Sequence, residues 1–324
     1  MLKKIIPLLI VALLISFAVV GCGDEEIVAP IELVPQSANM LGRVDLVRIM
    51  EDEDIASFYD AMEKEPDMPQ TFDEAMDMLG GDFEELVLFG DISEDTWDEE
   101  YFGMIVKGTF TEADVLAAIE ELGEVDLVTT SYRGYEVYMD ATEDMQIVFL
   151  SAELMVIGSM DAVEDVILVK DGELSAISGE VLDAYNDLGS VLFKLAMVVP
   201  EELTEEGFGD PSGELPGMDA FGDIETMGIS LDKVGELLSL DLQLCFPDSE
   251  SAEEAKSMFD FVMAMAGMAA MEEGELEQAI IELVQKIEMT VTGSCLDIVL
   301  EITLTEIEEL VETFEMEEDE LFEF

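Results

Sequence analysis

The chain reads as an α+β protein: antiparallel sheets built from hairpins, covered by amphipathic helices, in two related halves. Three observations point there. Half of its 324 residues are hydrophobic, enough for a sizeable core. Apolar residues alternate with a period of two in short runs separated by Gly-containing turns. Between these runs lie Thr- or Ser-initiated stretches with a helical period.

Gly42 to Met50 reads as a strand leading into a helix. Thr71-Phe72-Asp73-Glu74 is a capping box for a helix to Leu79, stopped by Gly80-Gly81. Leu86 to Phe89 and Tyr101 to Phe110 read as strands, after which Thr111 caps a helix to Leu122 that ends at Gly123. Two hairpins follow. Val125 to Tyr132 and Tyr135 to Asp140 flank Arg133-Gly134; Met145 to Leu150 and Leu154 to Gly158 flank Ser151-Ala152-Glu153. The second pair is almost continuously apolar, which predicts a central place in the sheet. Asp161 and Glu164 are expected to cap a helix to Val169, and a second helix spans about Gly179 to Leu188. Val191 to Val199 is a further apolar strand.

Between residues 207 and 222, Gly207, Gly209, Gly213, Gly217 and Gly222 with Pro211 and Pro216 mark a linker or long loop. Beyond it the grammar repeats. Ile224 to Asp232 and Leu237 to Phe246 are strands. Ser251 and Glu254 form a capping box for a helix to about Met271, and Leu276 to Gln285 is helical. Ile287 to Thr292 and Cys295 to Leu304 are paired strands; Thr305 and Glu308 cap a last helix to Phe314. The expected organisation is residues 1–21 signal peptide, 22–35 polar tether, 36–206 first α+β domain, 207–222 linker, 223–314 second α+β domain and 315–324 acidic tail. Thr109-Phe110-Thr111-Glu112 parallels Thr303-Leu304-Thr305-Glu306, which suggests that the halves are related.

The N-terminus is an address. Lys3 and Lys4 precede an apolar stretch from Ile5 to Val20, interrupted by Pro7 and Ser16 and short for a membrane span. Val19-Val20-Gly21-Cys22 follows, with a small residue before the cysteine. This segment resembles the lipobox of bacterial lipoproteins, with Val19 where Leu is commoner. The resemblance implies lipid attachment to the Cys22 thiol, cleavage after Gly21 and acylation of the new amino terminus. Two or more acyl chains give stable anchoring. The body would then lie outside the cytoplasm, at the outer face of a cell membrane or in a periplasm. Gly23-Asp24-Glu25-Glu26 starts the tether. The run Tyr132-Arg133-Gly134-Tyr135-Glu136-Val137-Tyr138, with Val148-Phe149-Leu150 and Val156-Ile157-Gly158-Ser159, resembles the hairpin-then-helix units of uncharacterised exported bacterial proteins. That likeness spans about residues 100–170 and implies no activity.

Charge sets the partners. Twelve Lys and Arg stand against 79 Asp and Glu, a formal net charge of −67. Such a surface repels nucleic-acid phosphates and favours basic proteins and loosely held divalent cations. It also repels itself, and salt screens that repulsion over about 8–10 Å.

The chain has no His. Ser-His-Asp and Cys-His catalytic arrangements are therefore excluded, as are His-based zinc and haem sites. Gly80-Gly81 lacks the Lys-Ser/Thr of a phosphate loop. Asp91-x-Ser93-x-Asp95 has alternating oxygens, but Thr96 and Phe102 stand where a calcium loop needs Gly and Glu. No catalytic residue, metal ligand or cofactor is assigned.

Two sets remain. Met258, Met263, Met265, Met268 and Met271 fall within fourteen residues. Thioethers can bind Cu(I), fill a core or line an adaptable apolar groove. Cys245 and Cys295 each lie opposite an apolar face, Leu240/Leu242/Leu244/Phe246 in one strand and Leu296/Ile298/Leu300/Ile302/Leu304 in the other. A disulfide and two free thiols are both open. The expected role is non-enzymatic binding or scaffolding at a membrane, with an apolar-ligand carrier or sensor and a carboxylate-dependent hydrolase as alternatives.

Overall fold

The computed structural model describes residues 28–61, 81–92, 101–123, 127–139, 145–200, 222–269 and 281–307. The chain forms two compact units that divide between Leu182 and Asp183. The expected 206/207 boundary lies further along; the strand before it pairs with the strand after it, so both belong to the second unit. Of the expected linker, residues 207–221 lie outside the described residues, as do the Thr71 capping box and the acidic tail.

The first unit is α+β. After a 3-10 turn at Pro30–Leu33 come β1 (Met40–Asp45), α1 (Leu46–Met50), α2 (Glu53–Ala61), β2 (Gly81–Gly90), β3 (Phe102–Phe110) and α3 (Glu112–Gly123). Then follow β4 (Val128–Tyr132), β5 (Tyr135–Met139), β6 (Gln146–Phe149), β7 (Leu154–Gly158) and α4 (Met160–Lys170); α5 (Glu180–Asp187) crosses the division. The strand order is β1-β2-β3-β7-β6-β5-β4, every neighbour antiparallel. The apolar β7 is interior and buried along its whole length, as its sequence predicts.

Local chemistry fixes the helix starts. The Asp45 carboxylate accepts from Arg48 N at 3.2 Å, and Asp52 Oδ1 accepts from Asp54 N and Ile55 N at 3.0 and 3.1 Å. Thr111 Oγ1 accepts from Asp114 N at 3.3 Å. At α4 the expected Asp161/Glu164 cap is not made. Ser159 is the N-cap, and its hydroxyl accepts from Phe102 N at 3.4 Å instead. The buried stripe Ala162, Val163, Val166 and Ile167 turns α4 onto the sheet. Phe83, Phe110, Phe149 and Tyr138 form a chain of ring contacts, with centroids 5.4, 5.8 and 6.1 Å apart. Phe89 lies directly over its cross-strand partner Gly103, where a Cβ would come within 2.2 Å of the ring.

The second unit contains β8 (Phe193–Val198), β9 (Thr226–Val234), β10 (Leu237–Cys245), α6 (Ser249–Ala269), β11 (Ile287–Thr292) and β12 (Cys295–Thr303). Its order is β11-β12-β10-β9-β8, again antiparallel throughout. Its core joins Ile224, Leu244, Phe246, Ala252, Ala255, Met258 and Leu296. The expected Ser251 cap is replaced. Asp248 Oδ1 accepts from Glu250 N and Ser251 N, both at 3.0 Å, so α6 starts earlier. Likewise the cap after β12 is Thr303, not Thr305. Thr303 N donates to Glu306 Oε2 at 2.9 Å and Glu306 N to Thr303 Oγ1 at 3.2 Å, a reciprocal capping box.

The two units share one strand grammar. Each is a three-strand meander, then a helix, then a return in which the last strand pairs with the third: β7 with β3, β12 with β10. The echo between Thr109–Glu112 and Thr303–Glu306 joins non-equivalent places, the end of a third strand and the end of a last one. The true counterpart of the β3–α3 junction is β10–α6, where Asp248 does what Thr111 does.

Candidate functional site

Cys22 and the whole N-terminal signal lie outside the described residues. Cys245 and Cys295 are cross-strand partners in the β10–β12 ladder and form a disulfide, with S–S 2.09 Å and Cα atoms 4.0 Å apart. Alternation places Gln243 and Asp297 on the same face, and their side chains bond at 2.8 Å. Leu244 and Leu296 on the opposite face are buried. The disulfide thus sits on the polar side of this sheet.

The described methionines of this set differ in burial. Met258 is buried in the core with Ala252 and Ala255. Met263 is half-buried and Met265 is 48% exposed, beside exposed Phe261 and Val262. Met268 lies in α6, and Met271 lies outside the described residues. Met258 and Met265 are two helical turns apart on one face, yet only Met258 is covered; the cover of α6 differs between its first turns and residue 265.

Seven of the described cations are held by the protein's own groups. Arg43 bonds Glu85 and, at 3.2 Å, Asp45. Lys107 reaches Glu84 at 2.5 Å. Arg133 grips Glu173 through both nitrogens of its fork, at 2.5 and 2.7 Å. Lys256 meets Asp260 one helical turn on at 2.8 Å, and Lys286 meets Glu306. Lys170 Nζ donates to Leu150 O at 2.6 Å. Lys194 is buried; its ammonium donates to Tyr185 O and Gly189 O at 2.9 and 2.7 Å and stands 3.7 Å over the Tyr185 ring. It closes the C-terminal end of α5, where backbone carbonyls lack helical partners. Lys194 alternates with buried Leu192 and Ala196, so it falls on the inward face of its strand. That pattern was the signal that could have identified it as a buried cation.

A polar network closes one end of the first unit's strands. The Tyr101 hydroxyl donates to Asp165 Oδ2 at 2.9 Å and lies 3.0 Å from Ser37 Oγ. Asn39 Nδ2 donates to Asp91 at 2.6 Å, while Asn39 Oδ1 accepts from Ile92 N at 2.9 Å. Burial, with Asp165 adding to it, holds the Tyr101 phenol above its ordinary range. The Tyr138 hydroxyl donates to Glu112, which pushes its pKa up to about 12. The displaced carboxylates go down. Arg133 lowers Glu173, backbone donation from Ser251 lowers Asp248, and Lys286 with Thr303 brings Glu306 to about 2. A general acid needs the opposite displacement.

Among the described residues no group of three or more Cys, Asp or Glu is disposed to hold a metal ion. Among them, too, no helix is long and apolar enough to cross a membrane.

No protein-family model matches the chain, and no curated protein matches it. Solved structures resemble it. Crystal form I of TP0453 is 13% identical with a TM-score of 0.45, covering 88% of this chain and 97% of that one. Crystal form III is 11% identical with a TM-score of 0.49, covering 88% and 98%. Crystal form IV is 10% identical with a TM-score of 0.46, covering 88% and 96%.

Proposed function

We propose that this chain is a lipid-anchored, extracytoplasmic protein that binds or scaffolds basic partners without catalysing a reaction. The N-terminal order of Lys3, Lys4, an apolar stretch and Gly21-Cys22 supports the anchor, since it matches the bacterial lipobox in sequence. One structural observation carries the binding role. Arg43, Lys107, Arg133, Lys170, Lys194, Lys256 and Lys286 are all held by the protein's own carboxylates or carbonyls. With twelve cations in all, and these seven engaged, most of the 79 acidic residues are left to face solvent or a partner. Loosely held divalent cations would share that coat.

The apolar-carrier reading has less support, because Met258 fills the core. The hydrolase reading has less as well: the carboxylates with a displaced pKa, Glu173, Asp248 and Glu306, are lowered by an ion pair or by N–H donors, the opposite of what a general acid needs.

The test compares wild-type protein with Cys22→Ala in membrane flotation, and measures binding of a lysine-rich peptide across a salt series. The reading expects membrane association that Cys22→Ala abolishes and peptide binding that weakens steeply with salt. A Cys22→Ala protein that still floats with membranes, or a body indifferent to cationic peptides, would refute it.

A further inference from the structure

Strand β4 differs in chemistry from its surroundings. Val128-Thr129-Thr130-Ser131-Tyr132 carries no charge, in a chain with 79 acidic residues. Among the described residues it ends the sheet and pairs only with β5. Edge strands are ordinarily guarded by charge, proline, a bulge or a covering element. β4 has no proline and no charged residue, and its register with β5 is unbroken from Val128 to Tyr132. Val128 is 50% exposed, and Thr129, Thr130 and Ser131 are exposed as well.

The turn fixes which backbone groups point outward. Arg133 and Gly134 both have positive φ, 50° and 94°, the signature of a two-residue hairpin turn. Tyr132 and Tyr135 are then the pair that exchanges both hydrogen bonds. By alternation, Thr130 with Val137 and Val128 with Met139 do the same. Thr129 and Ser131 therefore direct their N–H and C=O groups away from β5, toward the open edge.

Side chains beside the edge are also sorted. Thr129 and Ser131 stand opposite Tyr138 and Glu136; Tyr138 is bonded to Glu112, and both glutamates are exposed. That face is bordered by carboxylates. On the other face Val128 and Thr130 stand opposite Met139 and buried Val137. A strand with cationic side chains on one face and apolar ones on the other complements both.

We infer that the β4 edge receives an extended cationic segment of a partner protein, which adds to the sheet as a further strand through the backbone of Thr129 and Ser131. The inference rests on the basic-partner reading above and gives it a place. Charge decides between occupants: a second copy would bring another body of net charge −67 to the same edge, whereas a cationic segment is drawn to it.

The probe is a nine-residue capped peptide of alternating Lys and Val, titrated into the full mature chain by calorimetry. Two further versions carry backbone N-methyl groups on the Lys set or on the Val set. The inference expects binding in which one methylated set loses about tenfold or more in affinity and the other does not, because alternate N–H groups face the protein. Ser131→Pro removes an outward N–H while sparing the ladder to β5, and should weaken the unmethylated peptide comparably; Ser131→Ala should bind like wild type. If both methylated sets and a composition-matched peptide with its lysines in one block bind like the parent, the edge assignment is overturned and the basic-partner reading stands. If no cationic peptide binds, both fall. Should Ser131→Pro fail to fold, the methylation pair alone decides.

Discussion

Cys245 and Cys295 face each other across β10 and β12 with their Cα atoms 4.0 Å apart, joining the end of one strand to the start of another fifty residues on. The loop they close contains α6 and β11. A link of that span limits the unfolded chain and stabilises the second unit by about 2–4 kcal/mol. The double variant Cys245→Ser/Cys295→Ser should lower the urea midpoint accordingly. Under non-reducing conditions the wild-type protein should yield one disulfide-linked peptide pair containing both cysteines. Two alkylatable thiols in the native protein would contradict this.

Lys194 joins the end of α5 to β8. Its ammonium satisfies Tyr185 O and Gly189 O from a buried position. Lys194→Met keeps the stem and removes the donor, leaving carbonyls without it. The expected loss is about 2–3 kcal/mol, read from denaturant unfolding of the full chain. Equal stability of the variant and wild type would show that the ammonium is dispensable.

Glu306 sets a pH dependence with a defined sign. Its folded pKa is lowered from 4.5 to about 2, chiefly by Lys286 and then by the Thr303 N–H. Its contribution is therefore fully present above about 4.5 and fades as pH falls toward about 2. Global acidification also relieves repulsion among the other carboxylates, so the readout is a difference. Wild type should exceed Glu306→Gln in stability at neutral pH, and the gap should close between those values. The pair is partly exposed, so the gap is small. A gap that widens on acidification would reverse the assignment.

Much of this fold was legible locally. The β4–β5 hairpin is written in Tyr132-Arg133-Gly134-Tyr135, and the burial of β7 in an unbroken apolar run. Most strand ends fell within a few residues, because a period of two survives without tertiary context; β2 is the exception, running from Gly81 where Leu86 was expected, since Asp82, Glu84 and Glu85 break the apolar pattern. The caps were displaced because Asp248 and Thr303 sit just ahead of the residues chosen, and several side chains there could accept the first free N–H groups. The joins β3–β7 and β10–β12 were not legible, since they bring together strands separated by helices and are selected by packing. The Met set divided for a related reason. Spacing alone does not tell how far the core covers a helix: in α6 Met258 is buried while Met265, two turns on, is 48% exposed. Residue types did show the extreme acidity, but only the bonds show that Arg43, Lys107, Arg133, Lys170, Lys194, Lys256 and Lys286 are held by the protein's own carboxylates and carbonyls.

The anchor and the export it implies are tested most directly by intact-mass spectrometry of the protein extracted from native membranes. The account predicts an N-terminus at Cys22 carrying a thioether-linked diacylglycerol and an amide-linked acyl chain. A mature protein that begins at Met1 and bears no fatty acid would contradict it.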